Sequence, residues 1–108
     1  MISIIVPCYN EQEALPFFHE EVSRVLKEIG EDYELLFVND GSKDDTLKEL
    51  KALSTKDPHV IYLSFSRNFG KEAAMYAGFC NAKGDYIAVM DADLQDPQAL
   101  LPEMLKML

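Results

Sequence analysis

Apolar residues in this chain are grouped into four short runs, each of which ends in a polar loop. The runs cover residues 2–6, 33–38, 60–65 and 86–90 and are rich in β-branched and aromatic side chains. Runs of this length and composition are typical of β-strands. The run Ile2–Val6 is apolar at nearly every position, which predicts a strand covered on both faces.

The segments between these runs have the spacing of helices. The first predicted helix carries one apolar stripe and stops at Gly30, a common residue just after a helix. The stripe comprises Leu15, Phe18, Val22, Val25, Leu26 and Ile29. A second helix is predicted to open at Asp44-Asp45-Thr46, where either acid can cap its N-terminus. An Ala-rich helix over residues 72–82 has a thin side that permits close packing, and a fourth helix is predicted over residues 98–108.

Strands and helices therefore alternate four times with short connections. This order predicts an α/β fold with a mostly parallel sheet of about four strands, similar to a Rossmann fold. The polar loops at residues 7–12, 39–44, 66–71 and 91–96 all follow strands. Because ligands of such sheets collect beyond the carboxyl ends of the strands, we expect these loops to form the binding edge.

Two carboxylates, Asp91 and Asp93, directly follow the last apolar run. Side chains two residues apart on a strand point the same way, so both would leave the sheet on one face. Hard oxygen ligands at that spacing suit Mg²⁺ or Mn²⁺ and leave coordination positions for water and phosphate. The alternative is a turn or helix-cap role, which is the favoured interpretation for Asp96 before Pro97. For Asp91 and Asp93 we favour metal ligation.

Neither GxGxxG nor GxxxxGK[ST] occurs in the sequence, so a standard dinucleotide site and a P-loop are not indicated. Phosphate would have to be held by the metal and by a cation such as Arg67 or Lys71. A nucleoside diphosphate linked to a second group fits these parts. Asp40 could accept a hydrogen bond from a base N–H and Tyr9 could pack on a ring, although loop acids and tyrosines are commonly only solvated.

Charge and composition narrow the range of partners. The chain has 108 residues, with ten basic against nineteen acidic side chains and a formal net charge of −9. That sign argues against nucleic acid and against direct adhesion of this segment to anionic lipid. Cys8 and Cys80 are far apart and form no CxxC motif, which indicates a reducing, cytoplasmic setting. There is no basic segment before the first strand and no apolar run of membrane-spanning length.

Other classes of protein remain open on these residues alone. A metal phosphatase would use Asp91 as its nucleophile, but the Thr or Val that usually follows DxDx is absent. A sugar-1-phosphate nucleotidyltransferase would use the same metal edge for a different reaction. A truncated, inactive half acting as a partner or nucleotide sensor would bind nucleotide without any chemistry. Turnover with a sugar nucleotide would separate these classes from a sugar transferase.

Four motifs together resemble those of the family 2 glycosyltransferases of GT-A fold, and they occur in the family's order. They are Val6-Pro-Cys-Tyr-Asn-Glu11, Val38-Asn-Asp-Gly-Ser-Lys-Asp44, Ser66-Arg-Asn-Phe-Gly-Lys-Glu-Ala73 and Asp91-Ala-Asp-Leu-Gln-Asp-Pro97. The resemblance is strongest to the polyprenyl-phosphate branch, which includes dolichol-phosphate mannosyltransferases and bactoprenol glucosyltransferases. It implies transfer of a sugar, with inversion, from a UDP- or GDP-sugar to undecaprenyl or dolichyl phosphate; a saccharide hydroxyl is the alternative acceptor.

The same resemblance implies roles for particular residues. Asp91 and Asp93, helped by Gln95, would hold the divalent metal on the donor diphosphate and would be the catalytic pair. The nucleotide-sugar site would comprise Pro7, Tyr9, Glu11, Asp40, Arg67, Lys71, Asp91, Ala92 and Asp93.

Length is the main departure from the family pattern. Family catalytic domains are longer than this chain, and their second half carries the acceptor-binding residues, often followed by membrane helices. We therefore expect residues 1–108 to be the nucleotide-binding half of a protein that works at the cytoplasmic face of a membrane. By itself this half is expected to bind donor weakly, to transfer no sugar and to self-associate.

Overall fold

The structure, a computed structural model, describes residues 1–92, and these form four strands that alternate with three helices. The elements are β1 (Ile2–Cys8), α1 (Ala14–Ile29), β2 (Tyr33–Asn39), α2 (Thr46–Lys56), β3 (Val60–Ser64), α3 (Lys71–Asn81) and β4 (Tyr86–Val89). Each agrees with its predicted segment to within about two residues. The proposed helix at 98–108 and the cap at Asp96 lie outside the described residues.

All four strands are parallel and lie in the order β3-β2-β1-β4. β1 is central: Ile4 pairs with Leu35 on β2 and with Ala88 on β4. The chain adds strands outward from β1 to β3 and then returns to the other side of β1 for β4. That reversal is a topological switch point, where open α/β sheets bind their ligands. The predicted parallel α/β architecture is thus confirmed.

The two faces of the sheet are covered by different helices. Five residues of the predicted stripe on α1 join α2 and one face of the sheet in a single core, whereas the sixth, Ile29, is 38% exposed. In this core the rings of Phe18 and Phe37 meet edge to face at 6.1 Å. On the other face, α3 lies so close to β1 that a Cβ on Gly78 would stand 2.5 Å from Cγ2 of Ile5. The thin side predicted for this helix is therefore a close packing surface.

The helix ends follow the predicted signals with one refinement. Gly30 adopts the left-handed conformation, with φ of 81°, and donates its N–H to the carbonyl of Leu26. At the start of α2, Asp44 rather than Asp45 receives the backbone N–H of Thr46, at 3.0 Å. Desolvation raises the pKa of Asp44, but hydrogen bonds from Thr46 outweigh it and hold this pKa below its usual value.

His19 lies at the opposite, amino edge of the sheet, where its Nε2 is 2.8 Å from Oδ2 of Asp57. Oδ1 of the same carboxylate meets Nδ1 of His59, also at 2.8 Å. This pairing joins α1 to the turn before β3 and gives His19 a structural role. Within residues 1–92, no helix is long and apolar enough to cross a lipid bilayer.

Candidate functional site

A cavity of about 260 Å³ opens at the carboxyl edge of the sheet, beside the switch point. The loops that follow all four strands contribute to it, as the order of strands and polar loops predicts. Its lining residues are Pro7, Cys8, Tyr9, Glu11, Asp40, Lys71 and Asp91.

The loop after β1 is held in place by the loop after β2. The backbone N–H of Asn10 donates to Oγ of Ser42 at 2.9 Å, and the N–H of Lys43 donates to Oδ1 of Asn10 at 2.9 Å. A third bond runs from the N–H of Glu11 to Oγ1 of Thr46, also at 2.9 Å. These reciprocal bonds hold Asn10 at a φ of 55° and give the cavity a fixed wall.

Asp40 ends the run of buried residues on β2 and is only 4% exposed. Its Oδ1 accepts the N–H of Phe69 at 2.7 Å, and its Oδ2 accepts the N–H of Gly70 at 3.0 Å. The side-chain amide of Asn68 donates to Oδ2 and to the backbone carbonyl of Asp40, both at 3.2 Å. The predicted hydrogen bond to a nucleobase stays a prediction, but three donors from the loop after β3 already occupy this carboxylate.

Gly41 makes the approach of these two loops possible. A Cβ at this position would lie 2.1 Å from the carbonyl carbon of Arg67 and 2.3 Å from the backbone nitrogen of Asn68. With a φ of 66° the residue also occupies a conformation that side chains disfavour. The sequence signal for this contact is the Asp40-Gly41 pair, which is typical of tight turns but does not identify the partner loop.

Lys71 and Asp91 meet at the end of the cavity nearest β4. Lys71 Nζ lies 2.8 Å from Oδ1 of Asp91, and their side chains are 59% and 46% exposed. Lys71 is the first residue of α3, while Asp91 is carried past the end of β4 by the bond from the N–H of Met90 to the carbonyl of Ile5. A cation able to bind phosphate and a carboxylate able to bind metal therefore share one end of the cavity.

The carboxylate oxygens of Asp91 are of the chemical type that binds a hard divalent cation. Asp91 offers a partly exposed carboxylate, the ligand type that Mg²⁺ and Mn²⁺ prefer. Residues 1–92 contain no group of three or more His, Cys, Asp or Glu arranged to hold a metal. One carboxylate with several phosphate and water oxygens is nevertheless a usual Mg²⁺ environment. The other two predicted ligands, Asp93 and Gln95, lie outside the described residues.

Two predicted site residues lie in other surroundings. Arg67 is not among the residues lining the cavity, and its guanidinium carbon stands 4.7 Å above the ring of Phe69. Ala92 is buried, with 3% of its surface exposed. Cys8 lines the cavity although the sequence does not single it out. Burial raises the pKa of its thiol, with a contribution from Glu11, which favours the neutral thiol in the cavity wall.

Comparison with known proteins gives matches along the whole chain. Residues 3–108 match the family model for glycosyl transferase family 2. The protein CsbB of Bacillus subtilis (strain 168) is 52% identical over 98% of this chain and 32% of its own length. The bactoprenol glucosyl transferase of Shigella phage SfV is 45% identical over 97% of this chain and 34% of its own length. The chain thus spans about a third of the length of these relatives.

Solved structures agree with the fold at lower sequence identity. A mannosyltransferase from Pyrobaculum calidifontis, in complex with GDP-Man and Mn²⁺, superposes with a TM-score of 0.67 at 23% identity, over 91% of this chain and 30% of its own. Glucosyl-3-phosphoglycerate synthase from Mycobacterium tuberculosis, in complex with Mn²⁺, UDP and glucosyl-3-phosphoglycerate, gives a TM-score of 0.68 at 24% identity, over 95% of this chain and 37% of its own. On its family match and on this Rossmann-like GT-A architecture, the chain belongs to glycosyltransferase family 2.

Proposed function

We propose that residues 1–108 form the sugar-nucleotide-binding half of a transferase that moves a sugar from a UDP- or GDP-sugar to a polyprenyl phosphate. The observation that carries the proposal is one cavity lined by residues that follow all four strands, with Tyr9, Glu11 and Asp40 after β1 and β2 and the Lys71–Asp91 pair nearest β4. These two groups of residues suit the two halves of a nucleoside diphosphate.

The nucleoside is proposed to lie between the loops after β1 and β2. Tyr9 is 41% exposed and offers a ring face for a base, while Pro7 adds a rigid apolar wall beside it. Glu11 supplies a carboxylate that can accept hydrogen bonds from ribose hydroxyls. Because the reciprocal bonds between the two loops already fix this wall, little conformational entropy would be lost on binding.

The diphosphate is proposed to lie at the other end of the cavity. There Lys71 would exchange its ion pair with Asp91 for a charge-assisted hydrogen bond to phosphate, which frees the Asp91 carboxylate. Asp91, with Asp93 and Gln95, would hold a divalent cation. When bound, that ion stabilises the negative charge that develops on the departing diphosphate.

The acceptor is proposed to be a polyprenyl phosphate because of the names of three relatives. One at 45% identity is named a bactoprenol glucosyl transferase, one at 46% a homolog of such an enzyme, and one at 40% an undecaprenyl-phosphate 4-deoxy-4-formamido-L-arabinose transferase. A phosphate oxygen is already anionic at neutral pH, so inverting attack on the anomeric carbon has little need of a strong base. We further propose a cytoplasmic-face location, where free thiols such as Cys8 and Cys80 stay reduced.

Binding titrations of this chain with UDP, GDP, UDP-sugars and GDP-sugars, with and without Mn²⁺, test the proposal. We expect metal-dependent binding that falls roughly tenfold or more in Asp91→Asn and in Asp93→Asn, because one carboxylate leaves the ion under-coordinated. Glu28→Gln, an exposed change on α1, is the matched control. Equal affinity with a chelator present would end the metal assignment, and failure of every nucleotide to bind would end the proposed function.

A further inference from the structure

The Asp40 carboxylate lines the cavity and is hydrogen-bonded to the loop after β3. That loop, residues 65–70, connects β3 to Lys71 at the start of α3 and is called here the β3–α3 loop. Two consecutive backbone N–H groups, of Phe69 and Gly70, point at the two oxygens of Asp40. With the amide of Asn68, they take three of the roughly four acceptor positions of a carboxylate.

The bonded residues lie directly before the phosphate-facing cation. Gly70 is the N-cap position of α3, and it has a φ of 104° and makes no side-chain capping bond. Its amide is therefore held by Asp40, a residue thirty positions earlier in the chain. Hydrogen bonds to a charged acceptor are about twice as strong as neutral ones, and here the acceptor is almost completely buried. Asp40 thus ties the two residues that directly precede Lys71 to the end of β2.

We propose that Asp40 is a positioning residue, which locks the β3–α3 loop and thereby directs Lys71 toward the diphosphate end of the cavity. This role rests on the proposed function, because it takes from it that the ligand of the cavity is a diphosphate. It differs from a base contact in what it predicts: loss of the Asp40 charge weakens the binding of any diphosphate, with or without a nucleoside attached.

The loop itself gives a first test that needs no ligand. In Asp40→Asn, one carboxylate oxygen is replaced by an NH₂ group that cannot accept, so one of the two backbone N–H groups loses its acceptor and the other is left with an uncharged one. We expect hydrogen exchange of the Phe69 and Gly70 amides to accelerate roughly tenfold to a hundredfold. The amide of Lys71 should also become more mobile in NMR relaxation. The amide of Asp57, which donates to Leu53 at the far end of α2, reports whether the whole fold has loosened.

Ligand binding gives the second test, using inorganic pyrophosphate, UDP and GDP with Mn²⁺. We expect Asp40→Asn to weaken pyrophosphate and nucleoside diphosphates by the same factor, roughly tenfold or more. In a Lys71→Met background, Asp40→Asn should cause little further loss, because the residue acts through Lys71. Asn68→Ala, which removes one of the three donors and keeps the charge, should have a smaller effect of the same kind.

Several results would overturn the inference. Unchanged exchange at Phe69 and Gly70 would show that the loop does not depend on Asp40. Loss of UDP and GDP binding with pyrophosphate binding intact would assign Asp40 to the base, and additive losses with Lys71→Met would separate the two residues. If the unmodified chain binds no diphosphate, the proposed function fails. Hydrogen exchange at Phe69 and Gly70 and the mobility of Lys71 still show, independently of any ligand, whether Asp40 holds the β3–α3 loop.

Discussion

Asp40, Asp57 and Asp91 carry the same side chain in three different environments. Asp40 is buried and receives backbone amides, so its charge is used to hold a loop. Asp91 is nearly half exposed and pairs with the flexible side chain of Lys71, so its carboxylate can leave this ion pair and bind another partner. Asp57 is 14% exposed and lies between two imidazoles. At the scale of single residues, the partners and the exposure of a carboxylate decide its role.

Asp57 has a low pKa for a definite reason. Desolvation raises its pKa, but the backbone N–H of His59 and the rings of His19 and His59 together outweigh that effect and lower it below 3.8. Tyr33 stacks on His59 at 4.1 Å, and burial followed by the nearby Asp57 charge raises the pKa of its hydroxyl. The charged form of Asp57 therefore stabilises the folded state, and this contribution is present at neutral pH.

We predict that Asp57→Asn lowers the free energy of unfolding at pH 7 by about 1.5–3 kcal/mol, since hydrogen bonds to the charged group are lost. A lowered folded-state pKa gives stability above the unfolded value of 3.8 that disappears as the pH falls through the folded value. The gap between variant and wild type should therefore close below about pH 3.8. Urea unfolding across this range measures it. Glu31→Gln, on the exposed turn after α1, is the control; a gap that is constant with pH contradicts the prediction.

At the scale of elements, α1 and α3 attach to the sheet by different means. α1 buries large side chains such as Phe18 in the core. α3 buries only Ala74 and Gly78 and instead brings its backbone close to Ile5. The second arrangement has little tolerance for added volume, because packed interiors have few voids. It also leaves the outer side of α3 with exposed aromatic rings, including Tyr76.

We predict that Gly78→Ala destabilises the chain by about 1–3 kcal/mol, even though alanine favours helix by about 1 kcal/mol over glycine. The new methyl group would overlap Cγ2 of Ile5, which lies 2.5 Å from its position. Thermal or urea unfolding measures the loss. In an Ile5→Ala background the same substitution should cost much less, because the overlapping group is gone. A stabilising effect of Gly78→Ala in the wild-type chain would refute the close packing.

The connection into β4 shows a second element-level device. Glu34 is 4% exposed on β2, where its Oε2 accepts the hydroxyl of Ser3 at 2.6 Å and the N–H of Lys83 at 2.7 Å. Ser3 in turn accepts the N–H of Gly84 at 2.8 Å. A Cβ at Gly84 would lie 2.7 Å from the carbonyl oxygen of Met1. This network fixes the register of β4 against β1 and thereby the position of Asp91 beyond the carboxyl end of β4.

At the scale of the whole molecule, the two edges of the sheet have separate roles. The cavity occupies the carboxyl edge, and the Asp57 cluster joins helices and strands at the amino edge. Laterally, β4 pairs with β1 on one side, and within residues 1–92 no strand pairs with its other side. Tyr86 on this strand is 48% exposed. An unpaired strand edge promotes association with another chain.

We predict that the 108-residue chain self-associates in solution and that Tyr86→Lys reduces this association, because a lysine on an edge strand opposes strand-to-strand pairing. Sedimentation at increasing concentration measures the oligomeric state. Tyr76→Lys is the matched control, because Tyr76 lies on the outer side of α3 and is 71% exposed. If Tyr76→Lys disperses the oligomer and Tyr86→Lys does not, the helix surface is the contact. A monomer at all concentrations contradicts the prediction.

The elements of residues 1–92 could be predicted from sequence because the information for them is local. Alternation and helical spacing relate residues two to four positions apart, so they predict the four strands and three helices to within about two residues. The parallel direction of the strands also followed, since short strand–helix–strand connections favour parallel pairing. These rules bring the polar loops to one edge, and Tyr9, Asp40, Lys71 and Asp91 do line one cavity there.

The partners of individual side chains required the tertiary structure. Local spacing does not specify that β4 returns beside β1, and this return is what allows Asp91 to meet Lys71. Likewise, Asp40 follows its strand as a base-binding residue would, yet its oxygens hold amides about thirty residues away. Such partners depend on the path of the chain through space, and hydrogen-bonding capacity alone does not encode it. The sequence determined the elements and the edge at which the cavity opens, whereas folding decided which loop each carboxylate holds.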